Sequence, residues 1–147
     1  FELENWEEVE SPHNMEGRRI LIVDDNEINM EIEVEVLKEG GFLIDTATDG
    51  SIAVEKVKNS SPGYYDLILM DIQMPVMDGY LATKTIRKLE DPALASIPII
   101  AVSANTFEED RKKSRESGMN AHLPKPLDVA DLFHMIRKYL NEYELAK

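Results

Sequence analysis

Several polar side chains stand directly after short apolar runs, where a buried strand would end at the edge of a fold. Asp24-Asp25 follows Ile20-Leu21-Ile22-Val23, Asp71 follows Leu67-Ile68-Leu69-Met70, and Ser103 follows the run from Ile97 to Val102. Lys125 stands within Leu123-Pro124-Lys125-Pro126, after a fifth run from Ala121 to Leu123. Three carboxylates brought into one cleft would repel one another and lose solvation, which raises at least one pKa. A hard divalent cation removes that conflict. Mg²⁺ suits the set because it takes oxygen ligands, keeps several waters and needs only one or two carboxylates beside a substrate phosphate; Mn²⁺ is a chemically similar substitute. With the acids neutralised, an aspartate oxygen can approach phosphorus and form an aspartyl-phosphate. Lys125 then offers a point charge to the phosphoryl oxygens and Ser103 a hydroxyl donor.

Taken singly, each residue has an ordinary explanation. Asp24-Asp25 could cap a helix, Asp71 could open the turn before Met74-Pro75, Ser103 could be a cap hydroxyl, and Lys125 a solvated charge. Matched polar types at four separate strand ends are harder to explain as turns.

The elements that would position these groups follow from the pattern around them. Five apolar runs (20–23, 42–47, 67–70, 97–102 and 121–123) alternate with helix-length amphipathic segments. Such a β-α repeat implies a parallel sheet covered by helices on both faces. The first, third and fourth runs are apolar almost throughout, as central strands should be, whereas the second alternates with Thr46 and Thr48 like an edge strand. Gly40-Gly41 ends the first helix, Pro62-Gly63 follows the second, Asp91-Pro92 follows the third, Gly118 ends the fourth and Asp128 caps the fifth. The segment from Met30 to Val36 alternates with period two, which on pattern alone describes a strand. A crossover between parallel strands needs a dozen or more residues, however, and 26–40 is the only stretch available. It is read as helix, with Ile28, Ile32 and Val36 on one i, i+4 stripe.

Composition narrows the classes further. Hydrophobic residues form 43% and charged residues 31%, which describes a globular chain rather than a disordered one. The formal charge of -13 argues against direct contact with nucleic acid. No apolar run approaches the roughly 20 residues of a membrane span. Without cysteine there is no disulfide or thiol chemistry, which fits a reducing, cytoplasmic setting. Residues 1–17 are acidic and read as a linker or docking arm, residues 18–140 as the folded domain and 141–147 as a C-terminal tail. The start at Phe1 fits a piece excised from a longer chain. Met70, Met74 and Met77 read as packing, His13 and His134 have no metal-like spacing, and Lys84, Arg87 and Lys88 read as a solvated face.

From about Arg18 to Leu140 the chain resembles the response-regulator receiver domains of two-component signalling. The resemblance is carried by 20–26 (ILIVDDN), 66–79 (DLILMDIQMPVMDG), 99–105 (IIAVSAN) and Lys125-Pro126, in family order and with family-like spacing. It implies an α/β, doubly wound, flavodoxin-like fold of five parallel strands in the order 2-1-3-4-5. It also implies Asp71 as phosphoacceptor, Asp25 and Asp71 as direct Mg²⁺ ligands with the backbone carbonyl of Gln73, and Asp24 acting mainly through water. Ser103 stands at the switch Thr/Ser position and Lys125 is the matching lysine, often followed in the family by a cis peptide. Gln73 and Asn105 occupy the flanking positions that tune phosphoryl lifetime. His122 stands where receivers usually place Phe or Tyr as a rotating switch aromatic, and packs less area.

The segments 78–90, 90–94 and 119–122 look most like receivers of hybrid sensor histidine kinases. The implied partner is a histidine kinase or histidine-phosphotransfer protein, with no nucleic-acid or membrane contact by this domain; a homodimer is compatible with these features. The resemblance fits a cytoplasmic setting, either alone or as the cytoplasmic domain of a membrane-bound kinase. Other readings remain open at this point. One is a stand-alone single-domain regulator, and another a binding module that works without phosphorylation. A small-molecule phosphohydrolase of the haloacid-dehalogenase kind would carry a second aspartate where Gln73 stands.

Overall fold

The computed structural model describes residues 17–104 and 108–146. Five strands, β1 (Arg19–Val23), β2 (Leu43–Ala47), β3 (Leu67–Asp71), β4 (Ile99–Ser103) and β5 (Ala121–Pro124), form one sheet in the order β2-β1-β3-β4-β5 with every pair parallel. The helices among the described residues are α1 (Glu27–Glu39), α2 (Gly50–Lys58), α3 (Gly79–Arg87), α4 (Pro92–Ala95), α5 (Glu108–Ser117) and α6 (Val129–Ala146). The expected doubly wound order is therefore present, and β2 lies at an edge as its alternation suggested.

Successive residues of the central strands feed two cores, because side chains alternate across a sheet. Leu21 and Val23 of β1 join Ile68, Met70, Ile99 and Ala101 against α2 and α3, with Val54, Val57, Ala82 and Ile86. Ile20 and Ile22 join Leu67, Leu69, Ile100 and Val102 against α1 and α6, with Leu37, Leu132, Ile136 and Leu140. Burial on both faces explains why β1, β3 and β4 read as unbroken apolar runs.

Helix starts are capped locally. Asn26 accepts from Asn29 N at 3.0 Å, Asp78 from Leu81 N at 2.8 Å and Asp128 from Asp131 N at 3.0 Å. The segment 30–36 is helical, so the crossover constraint outweighs its period-two alternation. Its apolar stripe is not the buried one, though: Ile28 and Ile32 are exposed, and Glu33 and Leu37 are buried.

Asp91-Pro92 follows the third helix, as read, and also starts a short extra one, with Asp91 accepting from Ala93 N at 2.9 Å. One more expectation changes. Arg87 does not share the solvated face of Lys84 and Lys88. Its guanidinium donates to the carbonyls of Gly118, Ala95 and Ile97 and to Asn120 Oδ1, at 2.7–2.9 Å, and burial lowers its pKa to about 10. It ties α3 to α4 and to the entry of β5. Helix α6 runs through to Ala146, into residues read as a tail. The arm before Gly17 lies outside the described residues.

Candidate functional site

The carboxyl ends of β1, β3, β4 and β5 converge at one edge of the sheet, where an open α/β fold binds its ligands. Asp24 directly follows β1 and is 2% exposed; Asp71 is the last residue of β3 and is 6% exposed; Asp25 is exposed. Each of the three offers a carboxylate oxygen within 4.8 Å of the others, and this is the acidic cluster of metal-binding geometry among the described residues. An all-oxygen, anionic donor set on one exposed and two buried carboxylates fits a hard cation such as Mg²⁺, with an open side for water and phosphate.

Local backbone fixes each acid. Asp24 Oδ1 accepts the Asn26 N–H at 2.9 Å, which turns Asp24 inward as α1 begins. Asp71 is held from behind by Gly79, the first residue of α3, whose N–H donates to Ile72 O at 2.8 Å. A Cβ at Gly79 would lie 2.4 Å from Asp71 O and 2.9 Å from Ile72 Cα, so only glycine allows α3 this close to the end of β3. Between them Met77 N donates to Pro75 O at 2.7 Å around Val76, whose φ of 67° is unfavourable for a β-branched residue.

Lys125 closes the cluster from the opposite side. Its Nζ lies 3.2 Å from Asp71 Oδ1 and 3.7 Å from Asp24 Oδ2. Its backbone N–H donates to Ser103 O at 3.0 Å, linking β5 to the end of β4, and the Lys125-Pro126 bond is cis. Burial pushes the Asp71 carboxyl up to about 6; Lys125 opposes that rise, while Asp24 and Asp25 add to it. For Lys125, burial alone would lower the pKa, but Asp71 and Asp24 outweigh it and hold it above the usual range. Desolvation of Asp71 thus exceeds what one ammonium returns, which is the imbalance a divalent cation would correct.

Ser103 is the buried final residue of β4 and lines a cleft of about 580 Å³ with Asp25, Gln73, Tyr80 and Lys113. Gln73 is exposed at the rim, two residues after Asp71. His122 lies in β5, half-buried, with Nδ1 3.0 Å from Ser114 Oγ on α5. Asn105 lies outside the described residues. The sequence expectation therefore names the residues that come together, Asp24, Asp25, Asp71, Ser103 and Lys125, with Gln73 at the mouth.

It missed Glu33. This residue is 6% exposed on the inner face of α1, and with Lys125, Pro126, Leu127, Asn29 and Ile32 it lines a cavity of about 410 Å³ beside the cluster. Its carboxyl is in side-chain contact with Asp24, and burial, followed by the charge of Asp24, pushes its pKa up to about 8. On a helix, Glu33 falls on the face of Met30 and Leu37, not with Glu31 and Glu35, but the rival stripe of Ile28, Ile32 and Val36 hid that this face turns inward.

Comparison with known proteins agrees with this geometry. Residues 20–137 match the family model for the response regulator receiver domain. The chain is 44% identical over 133 residues to hybrid signal transduction histidine kinase B of Dictyostelium discoideum, covering 84% of this chain and 7% of that protein. It is 38% identical over 132 residues to the peroxide stress-activated histidine kinase mak1 of Schizosaccharomyces pombe, covering 89% of this chain and 8% of that protein. The chain thus spans less than a tenth of these relatives. Among solved structures it is similar to the receiver domain of sensor histidine kinase PA1611 from Pseudomonas aeruginosa PAO1, with 36% identity and a TM-score of 0.76 over 85% of this chain and 98% of that one. That crystal structure has a magnesium ion coordinated in its active site cleft. A CheY-like receiver from Methanospirillum hungatei JF-1 matches with 27% identity and a TM-score of 0.79 over 89% of this chain and 99% of that one. On its sheet order, its acidic edge and these matches, the chain belongs to the response regulator receiver domain family.

Proposed function

We propose that the chain accepts a phosphoryl group from a phosphohistidine onto Asp71, holds it as a signal and releases it by self-catalysed hydrolysis. The observation that carries this reading is the convergence of Asp24, Asp25 and Asp71 on one side and Lys125 on the other, with Lys125 Nζ 3.2 Å from Asp71 Oδ1. An Asp71 oxygen forms the new P–O bond as the donor's N–P bond breaks, and the electron pair stays on the imidazole nitrogen. Asp25, Asp71 and the Gln73 carbonyl would hold Mg²⁺, with Asp24 acting through water. The ion would supply charge neutralisation between the acids and the incoming phosphoryl oxygens.

This chain's own groups do the rest. Lys125 offers its ammonium to a phosphoryl oxygen. Ser103 offers its hydroxyl to another and moves toward it, shifting an equilibrium already present on the face of α5, β5 and α6. Helix α5 suits such a shift because Ser114 and Ser117 are its buried residues, so little apolar contact holds it down. The His122–Ser114 contact joins it to β5. Hydrolysis ends the signal when water attacks phosphorus, releasing phosphate and restoring the Asp71 carboxylate; Gln73 and Asn105 would govern that water's access.

The donor is a histidine kinase or histidine-phosphotransfer protein, and the exposed Ile28 and Ile32 on α1 offer it apolar contact. The domain is read as the cytoplasmic receiver of a hybrid sensor histidine kinase, since its curated relatives are hybrid kinases of far greater length. No helix among the described residues is long and apolar enough to cross a membrane. Incubation with a small phosphodonor and Mg²⁺ should add one phosphoryl mass to the wild type and none to Asp71→Asn. Equal gain by Asp71→Asn would refute the assignment.

A further inference from the structure

Helix α5 is held unequally at its two ends. It starts at Glu108, five residues after Ser103, and its buried residues are Ser114 and Ser117, so its body brings little apolar contact to the fold. Near the start, the Tyr80 hydroxyl donates to Asp110 O at 3.3 Å, long for a bond between oxygens. The far end is tied differently. Arg87 Nε donates to Gly118 O at 2.9 Å, just past the helix. Its Nη1 donates to Ala95 O and Ile97 O, both at 2.7 Å, and its Nη2 to Asn120 Oδ1 at 2.9 Å. Asn120 in turn accepts the Ile99 N–H on Oδ1 at 2.8 Å and the Tyr139 hydroxyl of α6 on its carbonyl at 2.7 Å. Gly118 has a φ of 106°, and a Cβ there would lie 2.8 Å from Arg87 Cγ, so the arginine stem packs against the turn itself. A planar, charged guanidinium with four short bonds in a fixed fork is a stiff joint.

We propose that Arg87 is a positioning residue that pins the Gly118 end of α5, so that a pull at the cleft swings the helix about that end instead of sliding it whole. The inference rests on the phosphoacceptor reading for the pull, which Ser103 supplies; the pin itself is a feature of the fold. A helix of 10 residues is about 15 Å long, enough for a lever. Its largest movement falls at the Glu108 end, beside the cleft lined by Ser103, Tyr80 and Lys113, and its smallest at the entry of β5. His122, 3.0 Å from Ser114 Oγ, receives an intermediate share of the motion. The Tyr80 contact is the weaker of the two ties and is the one that such a swing breaks.

The test is nuclear magnetic resonance of the nitrogen-labelled full chain, with Mg²⁺ and beryllofluoride as the phosphoryl mimic. In wild type the backbone amides of 108–114 should shift, while those of 118–120 and the Arg87 Nε–H stay within a linewidth. Shifts at 118–120 and at Arg87 as large as those at 108–114 overturn the proposal, because the helix then moves whole. In Arg87→Lys, whose single ammonium cannot serve four acceptors in a fixed fork, the amides of 118–120 should join the shift. A residue that merely packs would lower the melting temperature and leave the wild-type pattern of shifts, and that pattern in Arg87→Lys also overturns the proposal. Hydrogen exchange without the mimic reads the pin alone. Loss of one bond from a charged donor corresponds to about tenfold in an equilibrium. The amides of Met119 and Asn120 in Arg87→Lys should therefore exchange roughly tenfold faster, measured against β3 amides of the same sample, which report global opening. Unchanged exchange there overturns the proposal. If Arg87→Lys fails to fold, Asn120→Ala, which removes one acceptor of the guanidinium, takes its place. Should the mimic shift no amide in wild type, the phosphoacceptor reading fails while the exchange comparison still decides.

Discussion

Lys125 Nζ stands 3.2 Å from Asp71 Oδ1, and this pair joins the end of β3 to the turn after β5 across the intervening β4. Three acids and a lysine share one desolvated corner, so the ammonium lowers a carboxyl that burial is pushing up. Replacing Lys125 by Met should drive the Asp71 pKa above its present value of about 6, as read by carbon NMR of the carboxyl in metal-free protein. The same variant should gain phosphoryl roughly a hundredfold more slowly, the size expected for loss of one preorganised charge partner. An unchanged carboxyl titration would show that the pair does not persist in solution.

The metal-free domain should lose stability as pH rises. The Glu33 pKa is about 8 in the fold against 4.5 as a free side chain, so the folded state binds more protons than the unfolded state between these values. Stability from this group is complete below about pH 4.5 and is lost as pH climbs through 8. Asp24, Asp71 and Lys125 face the same corner, and Asp71, at about 6, adds a slope of the same sign at lower pH. Urea unfolding in a chelator should show a fall on the order of 3 kcal/mol from pH 5.5 to 8.5. Glu33→Gln should flatten most of it; a slope of equal size in that variant would contradict the assignment.

Gly79→Ala should be far more damaging than a surface alanine. The added methyl meets backbone atoms of Asp71 and Ile72, which cannot yield as a flexible side chain would. A cost of about 2–3 kcal/mol is expected from overpacking, together with weaker Mg²⁺ binding as the end of β3 is displaced. A urea midpoint and Mg²⁺ affinity equal to wild type would show that α3 can retreat freely.

Most of the sheet was legible because burial on both faces leaves a mark that composition cannot hide. The runs 20–23, 67–70 and 97–102 are apolar throughout, and each is followed directly by a polar residue proposed for the chemistry: Asp24, Asp71 and Ser103. What sequence obscured were helix faces. In 30–36 every second residue is a glutamate or an aliphatic, and strict alternation does not reveal which acid a helix turns inward; Glu33 was hidden among Glu31 and Glu35, and Ile28 and Ile32 face out. Arg87 looked like one cation among three, yet only the tertiary path of 95–97 and 118–120 supplies its carbonyls. Short α4 was masked by Asp91-Pro92, a pair that marks a turn as readily as a helix start.

The exposed aliphatics on α1 separate docking from chemistry. Ile28 and Ile32 of α1 are 69% and 58% exposed, Ile32 lines the cavity of about 410 Å³ with Lys125, and large apolar side chains left in water mark contact surfaces when they cluster. Ile32→Lys should slow phosphotransfer from a phosphohistidine protein by about tenfold while leaving the rate from a small phosphodonor within twofold. Equal slowing with both donors would place the defect in the site, not in docking.

The most direct measurement is the chemical identity of the modified residue. Wild-type chain is phosphorylated with a small donor and Mg²⁺, reduced with borohydride so that an acyl phosphate becomes an alcohol, and sequenced by peptide mass spectrometry. Homoserine is expected at position 71 alone, and is absent when Mg²⁺ is chelated. Reduction at Asp24, Asp25 or Glu33 in place of Asp71, or phosphate retained on a hydroxyl such as Ser103, would contradict it.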